Sequence, residues 1–222
     1  MPYDDVTCNT AERCVPQISD RSANIDGVPR PSNPEVRRRL LEAGLDLVHA
    51  RGFAASGVKD ITDAAGVPKG SFYAYFPSKE ALAEAILEHY WSDIQTRLLP
   101  ILDNDGSAQE RITRFFHALA DDHEAGDFLL GCLIGQMSLE LSGSSERVRA
   151  ELLHILDRWD EALTACVRSG QGGGGVRADL DAAQLASLLI EAWEGAALRG
   201  KVTRSRTPYD RFEAVTVPAL LR

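Results

Sequence analysis

Apolar residues recur along most of this chain at intervals of three and four, the spacing that gives a helix one buried face. From residue 34, Val36, Leu40, Leu47 and Val48 keep that spacing. Asn33 supplies an N-cap, Pro34 suits a first turn, Glu35 lies near the positive end of the helix dipole, and Gly52 stops the run. Ser56 reads as the N-cap of a second helix over 58–65, striped by Val58, Ile61, Ala64 and Ala65. Gly66 fits a tight turn, and Pro68 and Lys69 open a very short third helix that Pro77 ends. Phe72 and Phe76, four apart, anchor it, because a helix this short needs packing to persist.

The pattern continues to the C-terminus. Ser78 caps a helix of about 24 residues ending near Leu102. Residues 103–106 form a turn, and Ser107 with Glu110 makes a capping box for a helix to about Glu124. Further helices are expected from Gly131 to Leu141, from Ser144 or Ser145 to Ser169, from Ala182 (capped by Asp181) to about Arg204, and from Pro208 to Leu221. The glycines at 172–175 lack the Gly-Lys-Ser/Thr and the preceding strand of a phosphate loop, so they read as a connector. The expected fold is all-α. It comprises a tail over 1–33, a three-helix unit over 34–80 and a larger helical domain over 81–222.

The third helix leaves Lys69, Gly70, Ser71, Tyr73 and Tyr75 for its outer surface. This is a short, packed element displaying cationic, hydroxyl and phenolic groups, as a recognition helix in a DNA major groove requires. With the helix before it, it forms a helix-turn-helix. Charge placement agrees. The chain of 222 residues has a net charge of −9, unsuited to coating nucleic acid, yet residues 34–80 hold seven Lys/Arg against six Asp/Glu. Residues 81–222 hold 14 against 22 and should stay clear of the duplex. Arg30 is close enough to the first helix to reach a phosphate or to remain in a solvated tail.

No run is long and apolar enough for a membrane span, and no hydrophobic signal core opens the chain, so a cytoplasmic protein is expected. Cys8, Cys14, Cys132 and Cys166 are badly spaced for zinc and read as free thiols. His117 and His123, six apart, do not share a helix face. No metal, cofactor or catalytic residue is expected. An enzyme using Cys132 with His117 or His123 as base would need a third group that no spacing suggests.

The run ARGFAASGVKDITDAAGVPKGSFYAYFPSKEAL, about a fifth of the chain, resembles the DNA-binding domain of TetR-family transcriptional repressors. The resemblance implies a homodimer on double-stranded operator DNA, released by a small-molecule effector that binds the second domain. DNA contacts would come from Lys69, Gly70, Ser71, Tyr73, Tyr75 and Lys79, joined by Ser56, Gly57 and Lys59 of the preceding helix. Gly57 stands where the family more often has Ser or Thr, which removes one phosphate donor, and Ala74 leaves the centre of the recognition helix with fewer base contacts. Dimerisation is expected on helix 182–204, with its Leu185, Leu188 and Leu189 and its small residues, and on the final helix.

Two later segments sharpen the resemblance. Gly131-Cys132-Leu133, opening a helix that carries Gln136, and Trp193-Glu194-Gly195-Ala196, followed by Lys201, resemble a branch of the family that answers acrylate-type compounds and reactive electrophiles. Cys132, Gln136, Trp193 and Lys201 are the expected effector residues. Two readings of Cys132 stand: a small buried hydrophobe, or a thiolate favoured by a helix N-terminus and by Lys201.

Overall fold

The structure, a computed structural model, describes residues 33–222. The expectations for the tail before Asn33, with Cys8, Cys14 and Arg30, lie outside the described residues. The elements are helical throughout, and no strand occurs among the described residues.

The first helix, α1 (Pro34–Arg51), starts as its sequence dictates. The Asn33 side chain accepts the Glu35 amide at 3.0 Å, and Leu40, Leu41 and Val48 are buried. The second, α2 (Val58–Ala64), differs at its start. Its N-cap is Gly57, whose amide donates to Asp60 at 3.0 Å. Ser56, the expected cap, is buried and turns its hydroxyl back to the Gly52 carbonyl at 2.8 Å. Arg39 of α1 donates to the Ala65 and Gly66 carbonyls, satisfying the acceptors that α2 leaves free at its C-terminus. A 3-10 helix, Lys69–Ala74, follows the turn, and Phe72 and Phe76 root it in the core.

Helix α3 (Lys79–Arg97), capped by Ser78, carries the chain from this unit into the rest of the fold. It is shorter than its periodicity suggests. Pro100 cannot donate to the ladder, and the chain passes into a 3-10 turn at Leu99–Asp103. Helices α4 (Ala108–Ala125), α5 (Leu133–Leu141), α6 (Glu146–Gly172) and α7 (Ala182–Thr203) follow, with the Ser107–Glu110 capping box and the Asp181 cap in place. Helix α6 outruns its expected end by three residues, and in that last stretch Gly170 lies against Ala108 and Val176 where a larger side chain would collide. The final segment is α8 (Thr207–Arg211), a π-helical turn (Phe212–Thr216) and α9 (Val217–Leu221). The π turn falls just before Pro218, which lacks the N–H an α-helical ladder would use.

Helix α6 runs along α7 and α3, and α4 packs against α6. Phe116, His123, Trp193, Tyr209 and Phe212 interlock in one aromatic cluster, with ring centroids 4.8–5.8 Å apart. The final segment is therefore a core element, with Tyr209, Phe212 and Leu221 buried. On α7, Leu185 and Leu189 also point inward, while Leu188, Leu198 and Val202 stay exposed.

Candidate DNA interface and effector cavity

On the DNA-facing side, the short helix presents Lys69, Gly70 and Tyr73 outward; Tyr73 is 59% exposed. The Lys69 side chain makes no hydrogen bond or ion pair among the described residues. Ser71 is half-buried, and the Tyr75 hydroxyl accepts the Asn33 amide at 3.2 Å. Lys59 is paired with Asp63 on the exposed face of α2. Two other expected contacts are already engaged. Buried Ser56 has spent its hydroxyl on Gly52. Lys79 donates to the Phe53 carbonyl and stands 3.9 Å from the centre of the Phe53 ring. Burial lowers the Lys79 pKa, with Glu80 and Glu140 opposing. Both residues shape the loop between α1 and α2 instead of reaching freely outward. Arg39 and its hold on the α2 C-terminus had no signal in the sequence beyond its charge.

A cavity of about 660 Å³ opens between α5 and α7. Leu130, Ile134, Leu156 and Ile190 give it apolar walls, and Cys132, Gln136, Ser138, Glu191, Glu194 and Lys201 are its polar lining. Leu139, 83% exposed, and Leu198 stand at its rim. Of the expected effector residues, Cys132, Gln136 and Lys201 meet here, whereas Trp193 is buried in the aromatic cluster. Helical geometry accounts for this. At about 100° per residue, Ile190, Glu194, Ala197 and Lys201 fall within roughly 60° of arc, and Trp193 lies about 40° beyond its edge.

The electrostatics of Cys132 differ from the thiolate expectation. Cys132 is the N-cap of α5, and the Ile134 and Gly135 amides do lower its pKa. Burial and the neighbouring Glu194 carboxylate outweigh them and push the thiol well above its usual range. Glu194 is itself raised by burial, with the thiol opposing. Lys201 directs its ammonium elsewhere, donating to Gln136 Oε1 at 3.2 Å, and burial lowers its pKa. Cys132 is thus a buried thiol whose ionisation is disfavoured, with the Glu194 carboxyl group beside it on the cavity wall. His123 and His117, the conceivable bases, do not line the cavity. His123 lies 2.9 Å from the Tyr209 hydroxyl, and His117 the same distance from Glu213.

The cavity wall is joined to the DNA-binding unit. Gln136 Nε2 donates to the Val48 carbonyl at 2.9 Å, in the last turn of α1. His49 Nε2 lies 2.7 Å from the Gly131 carbonyl. A carbonyl only accepts, so Nε2 carries the proton. Glu140 accepts the Ala54 amide, in the loop before α2, at 3.0 Å.

Comparison with known proteins decides the family. Residues 40–86 match the family described as bacterial regulatory proteins, tetR family, and residues 108–216 the tetracyclin repressor-like C-terminal domain. The chain belongs to the TetR family of bacterial transcriptional regulators. It is 42% identical to the HTH-type transcriptional repressor DhaR of Mycobacterium sp. (strain GP1), over 84% of this chain and 92% of the other. It is 32% identical to the transcriptional regulator AcuR of Cereibacter sphaeroides, over 88% and 93%. The crystal structure of Escherichia coli NemR in its reduced form superposes with a TM-score of 0.74 at 30% identity, over 84% of this chain and 97% of that one. TetR-family regulators bind operator DNA, act as dimers and answer small-molecule effectors. As a family member the chain is a DNA-binding regulator, not an enzyme. Among the described residues no helix is long and apolar enough to cross a membrane, and no cluster of His, Cys, Asp and Glu is placed to hold a metal.

Proposed function

We propose that this TetR-family repressor works in the cytoplasm. Residues 34–80 hold the operator, and residues 81–222 form a dimer and carry the effector cavity between α5 and α7. The effector is a small, soft electrophile that reacts at Cys132. On the DNA side, Lys69, Gly70, Ser71 and Tyr73 form the contact surface, with Tyr75 and Lys59 beside them. Leu188, Leu198 and Val202, exposed on α7, offer an apolar face for the second subunit. A two-fold dimer there would set two recognition helices against successive turns of the major groove.

The observation that carries this reading is the chain of contacts from Lys201 to Gln136 to the Val48 carbonyl. A ligand bonded to Cys132, at the N-cap of α5, displaces the helix that holds the end of α1. It therefore favours a subunit arrangement in which the recognition helices are wrongly spaced. The test is fluorescence anisotropy on the DNA flanking its own gene, titrated in turn with enones, quinones, aldehydes, oxidants and small carboxylates. Release by thiol-reactive compounds alone supports the proposal. Release by none of them contradicts it.

A further inference from the structure

Glu194 reaches from α7 to the first turn of α5, where its carboxyl group lies against Gly135 and lines the same cavity as the Cys132 thiol. Gly135 makes this approach possible: a Cβ there would lie 2.2 Å from Glu194 Oε2. The other oxygen, Oε1, is buried and has no hydrogen-bond partner among the described residues. No cation of the described residues neutralises the group, since Lys201 donates to Gln136. A buried carboxylate with an unsatisfied oxygen destabilises a fold, and such groups concentrate where chemistry or binding needs them. Here the group faces a cavity that also holds the thiol.

We propose that Glu194 is the general base of the sensor, taking the Cys132 proton as the sulfur adds to an uncharged α,β-unsaturated carbonyl compound in the cavity. The inference rests on the cavity being the effector site. The Cys132 S–H bond breaks and its proton passes to the Glu194 carboxylate. The sulfur electron pair forms the S–C bond at the β-carbon, and the alkene pair moves onto the carbonyl oxygen as an enolate. Glu194, now a carboxylic acid, returns the proton to the α-carbon. The net change is addition of S–H across C=C, with no oxidant and no other reactant. The stem of Lys201 lies on Gly131, the residue before Cys132, which keeps its ammonium in the same cavity as the developing enolate. The apolar walls and the Glu194 charge together select an uncharged ligand over one bearing a carboxylate.

Substitution of Glu194 separates this role from that of a bystander charge, because the two act in opposite directions. Removing a nearby negative charge makes a thiol more acidic and raises its thiolate fraction. Removing a general base slows proton transfer by about 10²-fold or more. The experiment follows N-ethylmaleimide labelling of the full chain by peptide-mapping mass spectrometry, so that Cys132 is counted apart from the other cysteines. Labelling of Cys132 should be about 10²-fold slower in Glu194→Gln than in the native protein. An equal or faster rate overturns the proposal. If Glu194→Gln loses its helical circular dichroism, Glu194→Asp keeps the charge but withdraws it by one methylene. Slower labelling then supports the base, and an unchanged or faster rate overturns it. A maleimide carrying a carboxylate should label native Cys132 more slowly, relative to N-ethylmaleimide, than it labels a free thiol. Equal relative rates overturn the choice of an uncharged ligand. If Cys132→Ser is still released from operator DNA by N-ethylmaleimide, the cavity's role as the sensor fails, and this inference with it. Release abolished in Cys132→Ser together with undiminished labelling in Glu194→Gln overturns the base alone.

Discussion

Gln136 donates its side-chain amide to the carbonyl of Val48 at 2.9 Å, and the same carbonyl accepts the Gly52 amide that closes α1 at 2.8 Å. One acceptor therefore ends a DNA-domain helix and anchors the cavity wall. Gln136→Leu removes both this hydrogen bond and the acceptor for Lys201. It should destabilise the protein by about 1–2 kcal/mol, at about 1 kcal/mol net for a hydrogen bond. It should also raise the effector concentration needed for operator release by roughly 5-fold or more, the lower end of allosteric coupling. Anisotropy titration checks the second effect. An unchanged release midpoint would show that the signal takes another route.

The cations of the DNA-facing side should separate by their surroundings. Lys69 is exposed and, among the described residues, unpaired, so Lys69→Ala should weaken binding to all DNA sequences. It should lower the slope of log affinity against log salt by about 0.9 for each phosphate that Lys69 neutralises, with no change in melting temperature. Lys79→Ala should also lower the melting temperature, because Lys79 holds the Phe53 carbonyl and ring, the ring alone being worth about 0.5–2 kcal/mol. Equal thermal stabilities for the two variants would contradict this distinction.

Phe72 is completely buried although its neighbour Tyr73 is among the most exposed aromatic residues. Phe72→Ala should cost about 3–5 kcal/mol in urea denaturation. Tyr73→Phe should leave stability intact and weaken operator binding by about 1 kcal/mol. If Phe72→Ala kept native stability and impaired only DNA affinity, the anchoring role would be wrong.

These assignments show how far the sequence reaches. The helix starts at Asn33, Ser107 and Asp181 were legible because a capping side chain bonds an amide two or three residues away. The anchors Phe72 and Phe76 were legible from a spacing of four. Contacts between distant elements were not. Nothing local to Glu194 says that it meets Cys132, and nothing local to Arg39 or Lys79 says that backbone carbonyls claim their charges. The thiolate expectation for Cys132 fails for the same reason. The helix N-terminus can be read from the chain, but the burial and the carboxylate that outweigh it cannot. Trp193 was expected at the effector with Lys201, but eight residues turn a helix by about 80° from one to the other, which carries Trp193 off the cavity face.

Acid should weaken the fold through its buried histidines. Burial lowers the His123 pKa to about 4, and lowers that of His49 as well. The unfolded chain binds these protons near pH 6.5, so unfolding takes up protons below that value. The histidine contribution to stability is full above about pH 6.5 and is lost as pH falls toward 4. At about 1.4 kcal/mol per pKa unit, His123 alone accounts for roughly 3 kcal/mol by pH 4. Urea denaturation at several pH values should show this decline, and it should be shallower in His123→Gln. Parallel curves for the two proteins would remove His123 as the cause.

The most direct measurement is operator release itself, with fluorescent operator DNA titrated by N-ethylmaleimide against native protein and Cys132→Ser. The native protein should leave the DNA in step with modification of Cys132, while Cys132→Ser should bind the operator and stay bound. Release of Cys132→Ser at the same concentrations would contradict the assignment of the cavity between α5 and α7 as the sensor.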